Sequence, residues 1–244
     1  MNFDLKSIAD GANKMLNRMQ QVTQETLGQS EKTQLDGSLD ESMKRIDKQK
    51  VWIDRLTEQT DLIVQPSQVE KIEGFIMSKM GQSSKERPNS LQVLGQLMAD
   101  ASTDIGPSSQ FGNALRRVGE VEMQMGKAQK ESHERIAAGF CQPLRGFVEV
   151  DLKNLQKERK TLENARFDLD ATKNKQKKGE PPSQELATAK SAFERQVEVT
   201  RLLIDQIESS ANTNQLRCLI DLVDAQHDFH SKCAALLQDL KNNF

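Results

Sequence analysis

The strongest constraint on this chain is how far it runs without a helix breaker. From Ser108 to about Lys178 the one strong interruption is Pro143, and from Ser183 to Leu240 there is none. Along the first stretch apolar residues recur at Phe111, Leu115, Val118, Met125, Ile136, Phe140, Leu144, Phe147, Leu155, Leu162 and Leu169, which predicts one very long helix. Pro143 removes a backbone donor and crowds the preceding turn, so a bend is expected near the helix midpoint. The Gly179, Pro181, Pro182 cluster then forces a reversal. The last segment carries Leu186, Phe193, Val197, Thr200, Ile204, Ile207 and Ala211 at heptad spacing, followed by Leu222, Ala225, Phe229, Cys233, Leu236 and Leu240 after a one-residue slip in register. At 1.5 Å rise, some 55 helical residues reach on the order of 80 Å. Helices of that length form an elongated, antiparallel three-helix coiled-coil bundle, so thin that it is expected to dimerise to bury its remaining stripe.

Composition points the same way. The chain of 244 residues is 29% charged and only 4% aromatic, with no tyrosine, so the bulky side chains that fill an α/β core are scarce. No window alternates as a strand does, and an all-α fold follows. A net charge of −2 and a pI near 6.0 argue against a generally basic nucleic-acid binder. Three widely spaced cysteines, Cys141, Cys218 and Cys233, without a secretory signal, read as free thiols in a reducing compartment, with the cytosol as the default. No apolar run approaches the ~20 residues of a membrane span, and Asn2 excludes the glycine that myristoylation requires. Any membrane contact is therefore expected to be peripheral.

Shorter helices precede the long ones. Leu39, Met43, Ile46, Ile53, Leu56 and Ile63 form a coiled-coil-like stripe that Pro66 ends. Between Pro66 and the breakers from Gly81 to Asn89 lies a short amphipathic segment with Val69, Ile72, Ile76 and Met80 on one face and Phe75 beside them. Leu91, Leu94, Leu97, Met98, Ala101 and Ile105 then make another stripe, closed by Gly106 and Pro107.

The first 22 residues are the clearest functional candidate. On a helix, Leu5, Ile8, Ala9, Ala12, Met15, Leu16 and Met19 fall within roughly a third of the circumference, with polar residues opposite. Such a helix can lie in a lipid interface, Lys6, Lys14 and Arg18 meeting anionic headgroups, or dock on the bundle through Ile8, Leu16 and Met19. Phe75, Ile76 and Met80 are the candidates for a second insertion. A third feature is basic: Lys173, Lys175, Lys177 and Lys178 crowd one helical tip, with Lys153, Lys157, Arg159, Lys160 and Arg166 leading toward it and Asp168 and Asp170 reducing the local field. Each such charge beside an anionic leaflet is worth about 1 kcal/mol. Lys127, Lys130 and Arg135 are weaker candidates of the same kind. His227, His230 and Cys233 rotate away from one another on a helix, so no metal site is expected, and Gly119 to Lys127 has the wrong spacing for a phosphate loop.

Six stretches together carry a resemblance: LGQSEKTQLD (Leu27 to Asp36), QTDLIVQP (Gln59 to Pro66), GPSSQFGNAL (Gly106 to Leu115), PLRGFVEVDLKNLQKERKTLENARFDLDA (Pro143 to Ala171), and FERQVEVTRLL with LRCLIDLVDAQ in the last helix. As an ordered set they resemble the endophilin family, in its endophilin-B branch. The resemblance implies an N-BAR domain, that is, a crescent-shaped homodimer of kinked three-helix protomers whose N-terminal and central inserted amphipathic helices act on membranes. It divides the chain into an amphipathic helix at 1–27 and a BAR domain at 28–244, with the insert at 67–89 and the helical tip at 172–183. Members carry a C-terminal Src-homology domain that binds proline-rich partners. The chain stops at Phe244 without one, so no proline-rich ligand is expected of these residues.

The expected function is binding to anionic phospholipid membranes with sensing and induction of curvature, without a cofactor, a metal or nucleic acid. The resemblance implies a cytoplasmic protein peripheral on the mitochondrial outer membrane, Golgi or autophagic vesicles. The alternative is a helical coiled-coil adaptor that binds protein partners without remodelling membranes. An acyltransferase activity associated with the family finds no support, because Ala138, Lys232 and Ala235 stand five positions beyond the three histidines, where an aspartate is needed.

Overall fold

A computed structural model describes residues 5–27, 32–64, 88–177 and 184–243, with the backbone alone at 5–10, 12–14, 24 and 177. Every regular element among these residues is helical: α1 Leu5–Thr26, α2 Gly37–Val64, α3 Ser90–Ile105, α4 Gln110–Ile136, α5 Gln142–Gly146, α6 Lys153–Lys177 and α7 Gln184–Asn242, with π-helical turns at Ala137–Cys141 and Phe147–Leu152. The chain folds as two compact units. One comprises Met1–Val51 with Phe147–Asn212, the other Trp52–Gly146 with Thr213–Phe244.

In the first unit three helices each give one stripe to a common core: Leu39, Met43 and Ile46 from α2, Leu155, Leu162 and Leu169 from α6, and Phe193, Ile204 and Ile207 from α7, joined by Leu152. Burial of each such side chain stabilises by about 1.5–3 kcal/mol. Thr200, fully buried in this layer, turns its hydroxyl back onto the Gln196 carbonyl at 2.8 Å, so its burial leaves no hydrogen bond unmade. Asp36 caps α2: its carboxylate accepts from the Ser38 backbone and hydroxyl and from Arg201 of α7 at 2.8 Å. The Arg201 guanidinium, with those Ser38 hydrogen bonds, pulls the Asp36 carboxyl down to about 2.

The second unit is built around a seam of small residues. α4 presents Gly112, Gly119 and Gly126 at seven-residue steps, and α3 meets them with Ser102, Gly95 and its cap Asn89. A Cβ added at Gly119 would stand 2.7 Å from the Gly95 carbonyl oxygen, and one at Gly95 2.5 Å from that of Gly119. The two backbones therefore touch with no side chain between them. Polar groups tie the seam: the Ser102 hydroxyl donates to the Gly112 carbonyl at 2.6 Å and Asn89 Nδ2 to that of Gly126 at 2.8 Å, while Asn89 and Gln92 form a reciprocal capping box. Gly106 ends α3 at φ +101°, a conformation that suits glycine.

This seam corrects the stripe expected for the region. Leu94, Leu97 and Ile105 of α3 and Phe111 of α4 are exposed, because the glycine face of each helix makes the contact. Leu56 and Ile63 of α2 are also exposed, since the buried face passes through Ile53 and Thr57 instead. In α7 the line Ile204, Ala211, Cys218 and Ala225 runs on at seven-residue steps, while the second line passes from Phe193, Thr200 and Ile207 to the half-buried Leu222, Phe229 and Leu236 with the one-residue slip expected.

Pro143 does not end its helix. The preceding turn widens to the π form, so that the Gln142 N–H donates to the Ala137 carbonyl five residues back, and helical backbone continues through the proline. Phe140, Cys141 and Leu144 are buried there, and a Cβ at Gly139 would come within 3.0 Å of Asp221 Cβ on α7. The Ser132 hydroxyl donates to the Ala225 carbonyl at 3.1 Å across the same pair of helices.

Replacing Gly119 by alanine is expected to cost about 1–3 kcal/mol through overpacking of the seam. Gly146→Ala, whose new Cβ meets nothing within 4 Å, should instead stabilise by up to about 1 kcal/mol. Urea-unfolding midpoints of the two variants, moving in opposite directions, are the check.

Candidate functional site

The amphipathic helix α1 lies against α6 within the first unit, and its polar side makes the contact. Arg18 donates to Asp168 through Nε at 2.7 Å and Nη2 at 2.6 Å, a bidentate pair with each side chain about a third exposed. The Asp168 hydrogen bonds hold the Arg18 guanidinium even further above its ordinary range. One turn on, Gln21 is buried, accepting from Asn174 Nδ2 at 2.8 Å and donating to Glu25 Oε1 at 3.0 Å. Arg18, Gln21 and Glu25, spaced three and four apart, thus meet Asp168, Asn174 and Arg166 of α6.

Buried charges lie beneath this contact. Arg166 and Asp170 are 5% and 1% exposed. Arg166 Nη1 donates to Glu25 Oε1 at 2.9 Å and to Asp170 Oδ2 at 3.1 Å. Asp170 also accepts from the Thr33 backbone N–H at 3.1 Å and from the Thr33 hydroxyl, so the chain leaving α1 is pinned to the same carboxylate. Lys173 Nζ donates to Thr33 Oγ1 at 2.7 Å. Burial pushes the Glu25 carboxyl up, but hydrogen bonds from Arg166 and Gln21 outweigh it and hold the group below its ordinary value. Buried ions in this number are tolerable because each is paired and hydrogen-bonded.

The residues expected to enter lipid or bind headgroups divide into three groups. Met15, Leu16 and Met19, joined by Val22, are exposed, so docking leaves the described part of the apolar face uncovered. Arg18 and Lys173 are engaged in the cluster, whereas Lys175 is exposed beyond it. The side chains of Leu5, Lys6, Ile8, Ala12, Lys14 and Lys177, and the whole of Phe75, Ile76, Met80 and Lys178, lie outside the described residues, as does the 67–89 insert up to residue 87. Arg166, read from sequence as part of an exposed basic run, is instead the buried centre of the ion pairs. Gln21, Glu25, Thr33, Asp170 and Asn174 gave no apolar signal. Two polar rows at helical spacing were the trace they left.

A groove of about 1460 Å³ runs between α2 and α6, rimmed by Lys153, Lys157 and Lys160 over a floor that includes Met43 and Leu155. Arg159 beside it is paired with Asp47 at 2.6 Å. His227 and His230 are exposed on α7, and no group of histidine, cysteine or acidic residues with metal-binding geometry occurs among the described residues. All three cysteines are free, and burial pushes each thiol up.

The BAR domain family model matches residues 12–244. This chain belongs to the BAR domain family. It is 40% identical over 99% of its length to Endophilin-B1 of Rattus norvegicus and of Homo sapiens, covering 67% of each, and 33% identical to human Endophilin-B2, covering 70%. The endophilin relationship is thus shown over nearly the whole chain. Membership places this BAR domain in a family of membrane-binding scaffolds linked to curvature rather than among enzymes. No helix among the described residues is long and apolar enough to cross a membrane.

The second unit of this BAR domain also leaves large apolar side chains in contact with water. Trp52, Leu62, Leu97, Leu216, Leu219 and Val223 all stand open there. Trp52 is additionally flanked by the Arg55 guanidinium 5.3 Å from its ring.

Removing Arg166 strands Glu25 and Asp170 without their counter-charge, so Arg166→Leu is expected to destabilise by about 3–5 kcal/mol, and neutralising both carboxylates with Glu25→Gln and Asp170→Asn should recover part of it. Thermal unfolding of the single and triple variants decides this. Because the Glu25 pKa is lowered on folding, its contribution is complete above the unfolded value of about 4.3 and is lost as pH falls through the lower folded value. Loss of α1 helicity in far-ultraviolet circular dichroism should therefore begin only in stronger acid, and Glu25→Gln should remove that transition.

Proposed function

We propose that this BAR domain binds anionic phospholipid membranes as a crescent-shaped homodimer and senses and induces curvature by combining its shape with shallow insertion of amphipathic helices. The observation that carries the reading is the exposed apolar row Met15, Leu16, Met19 and Val22 on α1 beside the basic end of α6. A helix buried to headgroup depth expands one leaflet relative to the other, which favours positive curvature. Leu5, Ile8 and Ala12 continue the row by sequence pattern, and Phe75, Ile76 and Met80 form the second insertion. Lys6, Lys14, Lys175, Lys177 and Lys178 supply the attraction to anionic headgroups, with Arg18 and Lys173 contributing where the headgroup competes for their partners.

Homodimerisation is supported by Trp52, Leu216, Leu219 and Val223 of the second unit, exposed apolar side chains that a second copy can cover. The endophilin-B relationship extends the proposal to intracellular membranes, with the mitochondrial outer membrane, Golgi and autophagic carriers as the surfaces to test.

Met15→Glu with Met19→Glu should weaken co-sedimentation with phosphatidylserine vesicles at least about tenfold, since each buried methionine is worth ~1.5 kcal/mol or more. Binding should also fall with added salt. Binding indifferent to both anionic lipid and these substitutions would favour the helical adaptor instead. Leu219→Asp with Val223→Asp should convert a dimer to a monomer in sedimentation equilibrium.

A further inference from the structure

Whether an amphipathic helix that docks on its own body must leave that body to reach lipid depends on which face docks. Here the docking face is Arg18, Gln21 and Glu25, and the apolar row Met15, Leu16, Met19 and Val22 is exposed. At 100° per residue the centres of these two sets lie about 120° apart on the helix. We infer that α1 enters the bilayer while still latched to α6, with Arg166, Asp168 and Asp170 as positioning residues that hold its apolar row outward. The inference rests on the membrane reading above and adds a pose and the residues that set it.

Three observations carry it. No apolar contact must break for the row to meet lipid, because docking leaves Met15, Leu16 and Met19 each about 60% exposed. Release, by contrast, would unpair groups that folding has desolvated: the Arg166 guanidinium would lose the Glu25 carboxylate, and the buried Gln21 amide would lose Asn174. The latch also continues past the helix, since Thr33 donates to Asp170 by both backbone and hydroxyl. A free helix of this length is marginal in water, so the body supplies a folded wedge that would otherwise be sparsely populated. Among the described residues, the charged groups of α6 at this contact are Asp168 on Arg18, Arg166 on Glu25, and Asp170 through Arg166, while Lys173 bonds Thr33.

The test has two arms on the full chain. Without lipid, amide hydrogen exchange of residues 15–26 should be slowed, and Asp168→Ala should speed it about tenfold or more while amides around Ile204 are unchanged. The reversed pair Arg18→Asp with Asp168→Arg should restore the protection. Rapid, unprotected exchange in the unaltered chain would overturn the latch whatever the vesicles show.

In the second arm, Arg18→Cys and Asp168→Cys are joined by a short bis-maleimide linker in a Cys233→Ala background, Cys141 and Cys218 being buried. The linked protein is mixed with phosphatidylcholine vesicles with and without phosphatidylserine. Retention of anionic-vesicle binding within about threefold of the unlinked chain supports insertion in the latched state, whereas a loss beyond about tenfold overturns it. If the unaltered chain binds neither vesicle, the proposed function fails and latched insertion with it, and the exchange arm still decides the latch.

Discussion

An α-helix in a thin bundle buries one stripe of its surface, and the rest must face either water or something else. Everything distinctive in this BAR domain follows from that limit. In the first unit α2, α6 and α7 spend their leucines and isoleucines on a common core, and what remains outside is largely charged. In the second unit the inner contact between α3 and α4 is made by glycine and serine, so the large apolar side chains are left outside. The polar face of α1 carries the same logic to the helix at the start of the chain, with docking and display assigned to separate sides.

The helix limits and much of the core were legible in the sequence. α2 ends at Val64, two residues before Pro66, Gly106 closes α3, and the stripe through Phe193, Thr200, Ile204, Ile207 and Ala211 is the buried face of α7. Two kinds of contact escaped. Periodicity counts apolar residues, so the Gly112, Gly119, Gly126 seam left no mark, and Cys218 was passed over as a core residue. The site was half legible for a related reason: amphipathicity located the apolar row of α1, but the residues that orient it are polar on both helices and read as ordinary solvated surface.

Buried ions are a costly way to attach a helix, and an apolar staple would hold as well. Their value lies in selectivity. A second apolar contact face on α1 would compete with the first, and the helix could dock with either side inward. With Arg18, Gln21 and Glu25 matched to Asp168, Asn174 and Arg166, a reversed helix leaves charges unpaired, so one orientation is favoured. Pinning Thr33 to Asp170 adds a second point of registration beyond the helix end.

The glycine seam bears on how such a chain can change over time. A contact that admits no side chain exports its side chains, and Leu94, Leu97 and Phe111 are exposed because Gly95, Gly112 and Gly119 are not larger. Core and outer surface are therefore one trait: a variant that pushed the two backbones apart would open room for those leucines to turn inward, improving the interior of a single copy while stripping the apolar exterior. Drift toward a better-packed individual would be drift away from association.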